Sequence, residues 1–268
     1  MTDNDLHDHD RGLSHDLPTL LNRRRALGLL SGAGLVALAA CAPGSSDSSS
    51  TSGQQGSTSA TTTSSDEIPE ETGGPYPADG SNGVNVLTES GIVRSDLTKS
   101  FGSASGVAAG IPLTIKLTVT DNGKPLEGAA IYLWHCNIDG HYSLYDSSIS
   151  DENYLRGVQA ADGDGKVTFT SIYPAAYSGR WPHIHFEVYE SLAKATAASD
   201  KLRTSQIALP EKANSLVYAT DGYEQSIQNL KQTSLATDNV FGDGYSLQLA
   251  TVTGTPATGM TARLNVPV

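Results

Sequence analysis

Two histidines one residue apart, His183 and His185, lie in the run HIHFEVY. A strand through this run puts His183, His185, Glu187 and Tyr189 on one face and Ile184, Phe186 and Val188 on the other. Imidazoles placed this way can converge on one metal ion through their ring nitrogens. Alone the pair is a weak signal, because histidines in strands are often polar residues on a solvated face. Other reactive types are fewer. His135 alternates with Trp134 on a strand, where it can orient a ligand, and His141 sits in a turn and is expected to be exposed. No base pairs in sequence with Cys136, which reads as a small buried hydrophobe. Asp162 and Asp164 in Asp-Gly-Asp-Gly look like part of a calcium loop, but the other ligand positions are missing, which favours a hairpin turn.

The elements that must position these groups have period two. Leu113, Ile115, Leu117 and Val119 alternate with Thr114, Lys116, Thr118 and Thr120, and Asn122-Gly123 then signals a tight turn. Ala129 to His135 follows at once, an arrangement that predicts antiparallel pairing of the two runs. Further strands are predicted over Lys166–Ile172, His183–Tyr189, Ser205–Leu209, Ser246–Thr251 and Thr261–Val266. Helix is expected only in short pieces, over Ser191–Lys201 and Gly222–Gln228. The fold class is therefore all-β: an antiparallel β-sandwich with short helical connections.

Arg23, Arg24 and Arg25 precede a short apolar run, Ala26 to Ala40, that ends in Leu38-Ala39-Ala40-Cys41. The run is short for a bilayer span and reads as an export signal over residues 1–40. The arginines are similar to a twin-arginine leader, and Leu-Ala-Ala-Cys resembles a bacterial lipobox, which makes Cys41 the lipidated first mature residue. The chain is then expected to be lipid-anchored at the outer face of the bacterial cell membrane. Residues 41–71 are rich in Ser, Thr and Gly and read as a flexible tether, leaving 72–268 as one domain. Acylation of Cys41 would leave Cys136 alone, so no intramolecular disulfide could form. Removal of residues 1–40 takes four of 17 basic and five of 29 acidic residues and leaves a formal charge of −11, which argues against nucleic-acid binding.

The stretches WHCNIDGHYSLYD (134–146) and GVQAADGDGKVTFTSIYPAAYSGRWPHIHF (157–186) change the weight of the histidine pair. Over roughly Gly74 to Leu209 the sequence resembles the intradiol ring-cleavage dioxygenases, the family of catechol 1,2-dioxygenase and protocatechuate 3,4-dioxygenase. Gly74-Pro75-Tyr76 matches the opening of that family's domain. The resemblance implies tyrosinate ligands at Tyr142, in Gly-His-Tyr-Ser, and at Tyr177, in Pro-Ala-Ala-Tyr. It implies histidine ligands at His183 and His185, an active-site arginine at Arg180, and a site-lining glutamine at Gln206 in Thr-Ser-Gln-Ile. Two hard phenolate oxygens and two neutral imidazoles suit Fe(III), one ion per chain. The implied substrates are a catechol-type ring and O2, and the implied product is a muconate-type dicarboxylate. In this reading Tyr177 leaves the metal and takes a substrate proton, Tyr142 stays bound, and Arg180 offsets negative charge on the ring. The sequence departs from the pattern in lacking a helical N-terminal dimerisation region and in leaving only five residues between Tyr177 and His183.

Two other readings compete. Gly123-Lys124-Pro125-Leu126-Glu127-Gly128-Ala129 and the Asp-Gly-Asp-Gly turn also suit a non-catalytic transthyretin-like sandwich, and an anchored domain could instead be a surface lipoprotein that captures aromatic ligands. Neither has a reason to hold Tyr142, Tyr177, His183 and His185 together.

Overall fold

The computed structural model describes residues 67–268. The export signal, Cys41 and most of the expected tether lie outside the described residues. Alternation makes the first strand, β1 (Pro112–Asp121), which buries Leu113, Ile115, Leu117 and Val119 and turns its threonines outward. Asn122 and Gly123 both take left-handed φ values, 48° and 74°, as a two-residue hairpin turn requires. The returning strand β2 is only Lys124–Pro125, and Pro125 has no N–H with which to extend the ladder.

The next run does not pair with β1 as the sequence predicts. Instead β3 (Ala130–Trp134) crosses to a second sheet, where it lies between β4 (Arg156–Ala160) and β6 (His183–Tyr189), with β7 (Lys201–Ala208) outside β6. This four-stranded sheet is antiparallel throughout. In the first sheet β1 pairs antiparallel with β5 (Lys166–Ile172), and β8 (Thr251–Thr255) pairs antiparallel with β9 (Gly259–Pro267). The β1–β9 pair is parallel, from Leu113 opposite Met260 to Thr120 opposite Pro267. The sandwich is thus mixed rather than wholly antiparallel, because a chain that returns to β1 after passing through the other sheet can approach it from either end.

Ser246–Thr251, predicted as a strand, is mostly turn. It makes one bridge, Ala208 to Leu249, before β8 begins at Thr251. The helix predicted over Ser191–Lys201 shortens to α1 (Leu192–Thr196), because Ala198 and Asp200 adopt left-handed φ values that no helix accommodates. The chain between β7 and β8 supplies α2 (Glu211–Tyr218), not anticipated from sequence, and α3 (Glu224–Leu230). None of the described helices is long and apolar enough to cross a membrane.

Between the sheets Ile115, Leu117, Phe169, Ile131, Leu133, Ile184, Phe186, Val188 and Val266 form the main core. The opposite face of the second sheet is covered as well. Val86, Leu87, Ile92 and Tyr142 pack there on Tyr132, Trp134 and Tyr189, which makes every residue of β6 buried. Residues 67–71, assigned to the tether by composition, join this packing: Ile68 is in the core, its N–H donates to Pro267 O (2.8 Å), and Glu71 N–H donates to Thr204 O (2.7 Å).

The N-terminal arm is pinned further along by Asp79, whose carboxylate accepts from Lys201 Nζ at 2.8 Å. Burial raises the carboxyl pKa, but Lys201 and Ser81 outweigh it and bring it to about 2. A depressed carboxyl pKa stabilises the fold above its unfolded value and loses that contribution as pH falls. Between about pH 4 and pH 2 the wild type should lose on the order of 1 kcal/mol that Asp79→Asn does not, after allowance for screening. Parallel urea titrations of the two proteins across this window check the difference.

Candidate metal centre

β6 lies between β3 and β7, so its outer face carries His183 and His185 into a buried layer. The solvated-face reading of the pair is thereby excluded. The loop after β3 brings Tyr142 over them. Asn137 Oδ1 folds this loop by accepting from the N–H groups of Asp139 and His141, both at 2.9 Å. Gly140, at φ 86°, lets the two tyrosine loops touch, since a Cβ there would stand 3.0 Å from Tyr177 Cβ. The Tyr177 loop is held from α3, where Ser226 Oγ accepts from Ala176 N–H and Asn229 Nδ2 donates to Ala176 O.

The four predicted ligand side chains meet. His183 Nε2 lies 3.1 Å from His185 Nε2, 3.2 Å from Tyr177 Oη and 3.5 Å from Tyr142 Oη. Donors about 2 Å from a common metal ion stand roughly 3 Å from one another, so these separations fit a shared ion. Trp181 O lies 2.6 Å from His183 Nδ1, and a proton on Nδ1 donates to it and leaves the Nε2 lone pair toward the cluster. Among the described residues no group bonds the buried Nδ1 of His185. Its ring is fixed by packing instead, stacked on Trp134 at 4.9 Å and 6°, with Gly74 against its edge.

Burial, reinforced by Arg180, holds the pKa of His183 well below the ordinary histidine value, and burial with the neighbouring His183 does the same for His185. Both are neutral imidazoles, the form that binds metals. Burial and the neighbouring Tyr177 push the Tyr142 pKa well above 10, so the protein alone gives this phenol no means of ionising near neutral pH. A cation supplies that means. Tyr142 is buried beneath Tyr76, whose ring stacks on it at 4.9 Å, whereas Tyr177 is only partly buried.

Arg180 is buried beside the cluster. Its Nε donates to Asp238 Oδ2 (3.0 Å) and its Nη2 to Gln206 Oε1 (2.7 Å). Burial opposes its charge, yet Asp238 and Tyr177 raise its pKa above the ordinary value. Gln206 stands opposite His185 on β7, and its Nε2 donates to Thr72 O, so both ends of the amide are engaged. The structure therefore makes Gln206 a brace between Arg180 and the N-terminal arm.

Three contributors escaped the sequence reading of the site: Asp238, Arg156 and the ring of Tyr76. Asp238 lies 58 residues from Arg180, and nothing in the intervening sequence marks it. His135 lies apart from the cluster, bonded to Cys136 O and Ser171 Oγ, both at 2.7 Å. His141 is partly exposed beside Ser148 and Asp146. Burial pushes the Cys136 thiol up to about 12, which suits an inert packing group. Asp162 closes a turn, accepting from Asp164 and Lys166 N–H. Among the described residues no three His, Cys, Asp or Glu side chains gather as metal ligands, so the phenols are what complete this donor set.

A family model described as Dioxygenase matches residues 89–185. The chain is 40% identical to catechol 1,2-dioxygenase 1 of Acinetobacter lwoffii over 68 residues, which are 25% of this chain and 22% of that protein. It is 39% identical to chlorocatechol 1,2-dioxygenase of Rhodococcus opacus over 56 residues, 21% of this chain and 22% of that one. These matches thus span about a fifth of the length of either relative. The fold is similar to that of an intradiol ring-cleavage dioxygenase from Tetranychus urticae, with TM-score 0.55 and 23% identity over 67% of this chain and 87% of the other. Residues 89–185, the stretch that the Dioxygenase family model matches, contain both tyrosines and both histidines of the cluster, together with Arg180.

Proposed function

We propose that this chain is an Fe(III)-dependent intradiol dioxygenase that cleaves a catechol-type ring with O2 to a muconate-type dicarboxylate. The observation that carries the reading is the meeting of two phenols and two neutral imidazoles around the buried His183 Nε2. Tyr142, Tyr177, His183 and His185 would hold one ferric ion per chain. When bound, such an ion supplies a Lewis acid that accepts both catechol oxygens and makes the ring reactive toward O2.

The protein's own groups divide the remaining work. Tyr142, buried and capped by Tyr76, is the fixed phenol. Tyr177, on the partly exposed loop, is the one with freedom to swing away and accept a substrate proton at Oη. Arg180 places a permanent cation beside the ring position, where it offsets negative charge that develops on the substrate. Trp134, stacked flat on His185, and Gly74 close the far side of that imidazole against water.

Neither a structural sandwich nor a passive aromatic-binding lipoprotein gains from gathering these four polar rings, three of them buried, since burying polar groups is costly. The test is to load the chain with Fe(III), record its visible spectrum and follow oxygen uptake over a panel of catechols, with product mass. The expected result is a burgundy-red protein, from tyrosinate-to-iron charge transfer, whose product has gained two oxygen atoms. A fully loaded protein that is colourless and consumes no oxygen would refute the proposal.

We also propose that the domain is exported and held at the outer face of the cell membrane by a lipid on Cys41. Support comes from the sequence Arg23 to Cys41 alone. Mass spectrometry of the protein made in a bacterial host checks it: an acylated Cys41 as first residue is expected, and an unprocessed chain beginning at Met1 would count against it.

A further inference from the structure

From the contacts around Arg180 we infer that Asp238 is the residue that positions this arginine for the reaction, an inference that rests on the dioxygenase reading. Asp238 is fully buried as a side chain and lies in the loop between α3 and β8, outside the residues matched by the family model. Five donors surround its carboxylate. Oδ2 accepts from Arg180 Nε (3.0 Å) and Trp181 N–H (2.7 Å). Oδ1 accepts from Val240 N–H (2.8 Å), Phe241 N–H (3.1 Å) and, at 3.4 Å, Arg180 Nη2. Only a carboxylate satisfies such a set, because a carboxamide would have to turn its NH2 toward donors on one side or the other.

The consequence for Arg180 is directional. With Nε and Nη2 committed to Asp238 and Gln206, Nη1 is the guanidinium nitrogen left without a protein hydrogen bond among the described residues. The pairing aims one edge of the guanidinium and leaves another for substrate. It also tempers the charge, so that Arg180 reaches the ring as half of an ion pair rather than as a bare buried cation. Residue 181 stays anchored without Asp238, because Trp181 Nε1 donates to Leu209 O at 2.7 Å. Loss of the carboxylate therefore falls chiefly on Arg180. Asp238 is a positioning residue acting through Arg180, with no contact of its own to the tyrosine and histidine cluster.

The test uses the full chain with Asp238→Asn, Arg180→Ala and the double variant. In the metal-free proteins, NMR should find the Arg180 Nε–H slow to exchange with water in the wild type and at least tenfold faster in Asp238→Asn, a readout independent of turnover. In the iron-loaded proteins, Asp238→Asn should keep its visible band and lose roughly a hundredfold in kcat/KM for catechol. In the Arg180→Ala background the same change should cost less than about threefold, since residues that act as a unit are non-additive. Unchanged exchange in Asp238→Asn, or an equal loss in both backgrounds, would overturn the inference. A wild type that binds iron but opens no catechol would instead sink the dioxygenase reading, while the exchange measurement would still decide whether Asp238 holds Arg180.

Discussion

Replacing Tyr142 by phenylalanine should leave a folded protein with neither colour nor turnover. The substitution removes one oxygen and nothing else, so the ring still stacks under Tyr76 and against the His185 edge. The lost hydroxyl makes a 3.5 Å contact with His183 Nε2 and a hydrogen bond with Tyr177, and its removal should change the melting temperature by no more than a few degrees. What disappears is a hard anionic donor that the neighbouring Tyr145 does not replace, since its hydroxyl is engaged by Ala78 N–H and Asn82 Oδ1. The loss of activity should exceed the roughly 10- to 100-fold typical of residues that merely support a ligand. His185→Ala should act in the same direction and also open a gap against Trp134. Absorption spectra and oxygen uptake of the two iron-loaded variants check this, and retained turnover in either one would show the ligand set to be wrong.

The second large effect is on stability. Arg156 is 1% exposed and, among the described residues, no acidic side chain pairs with it; its donors go to neutral oxygens. Nη1 bonds to Tyr76 O (2.9 Å), Pro77 O (3.2 Å) and Tyr132 Oη (3.2 Å), Nη2 to Ser143 O (2.9 Å) and Nε to Ser143 Oγ (3.1 Å). One guanidinium thus ties the N-terminal arm to the loop that carries Tyr142. Arg156→Ala would strand several buried carbonyls and leave a cavity, at a cost on the order of 3 kcal/mol. For a domain of this size the melting temperature should fall by about 6–12 °C. Arg156→Lys should recover less than half of that, since an ammonium cannot reproduce the planar fork. Differential scanning calorimetry of both variants measures it. A drop under 2 °C, in a protein of this size less than about 1 kcal/mol, would mean that the arm and the loop hold without it.

Much of this was legible in the sequence, and the exceptions have physical reasons. β1, β5, β6 and β9 lie where alternation puts them, because each buries one face against a common core. Partners were harder. Pairing of β3 with β4 and β6, and the parallel pairing of β1 with β9, are long-range choices that no local pattern encodes. Ser246–Thr251 alternates as well as a strand does, yet Gln248 is drawn inward to Ser205 and the stretch turns. α2 lacked a readable start because its N-cap is Pro210, which offers no capping side chain. In the site, His183 and His185 were visible from spacing and the tyrosines from family resemblance. Arg156 and Asp238 were invisible, because a buried charge declares itself only through partners brought from 13 to 80 residues away.

The hydrogen bond from Ile68 to Pro267 places the first of the described residues beside the end of β9. A circular permutant that joins Val268 to Glu67 through a few glycines, and opens the chain in the exposed stretch around Gln232, should therefore close into the same sandwich. In such a protein the proposed lipid attachment could be moved away from the arm that braces Gln206, separating how the domain would be moored from how its chemistry is assembled.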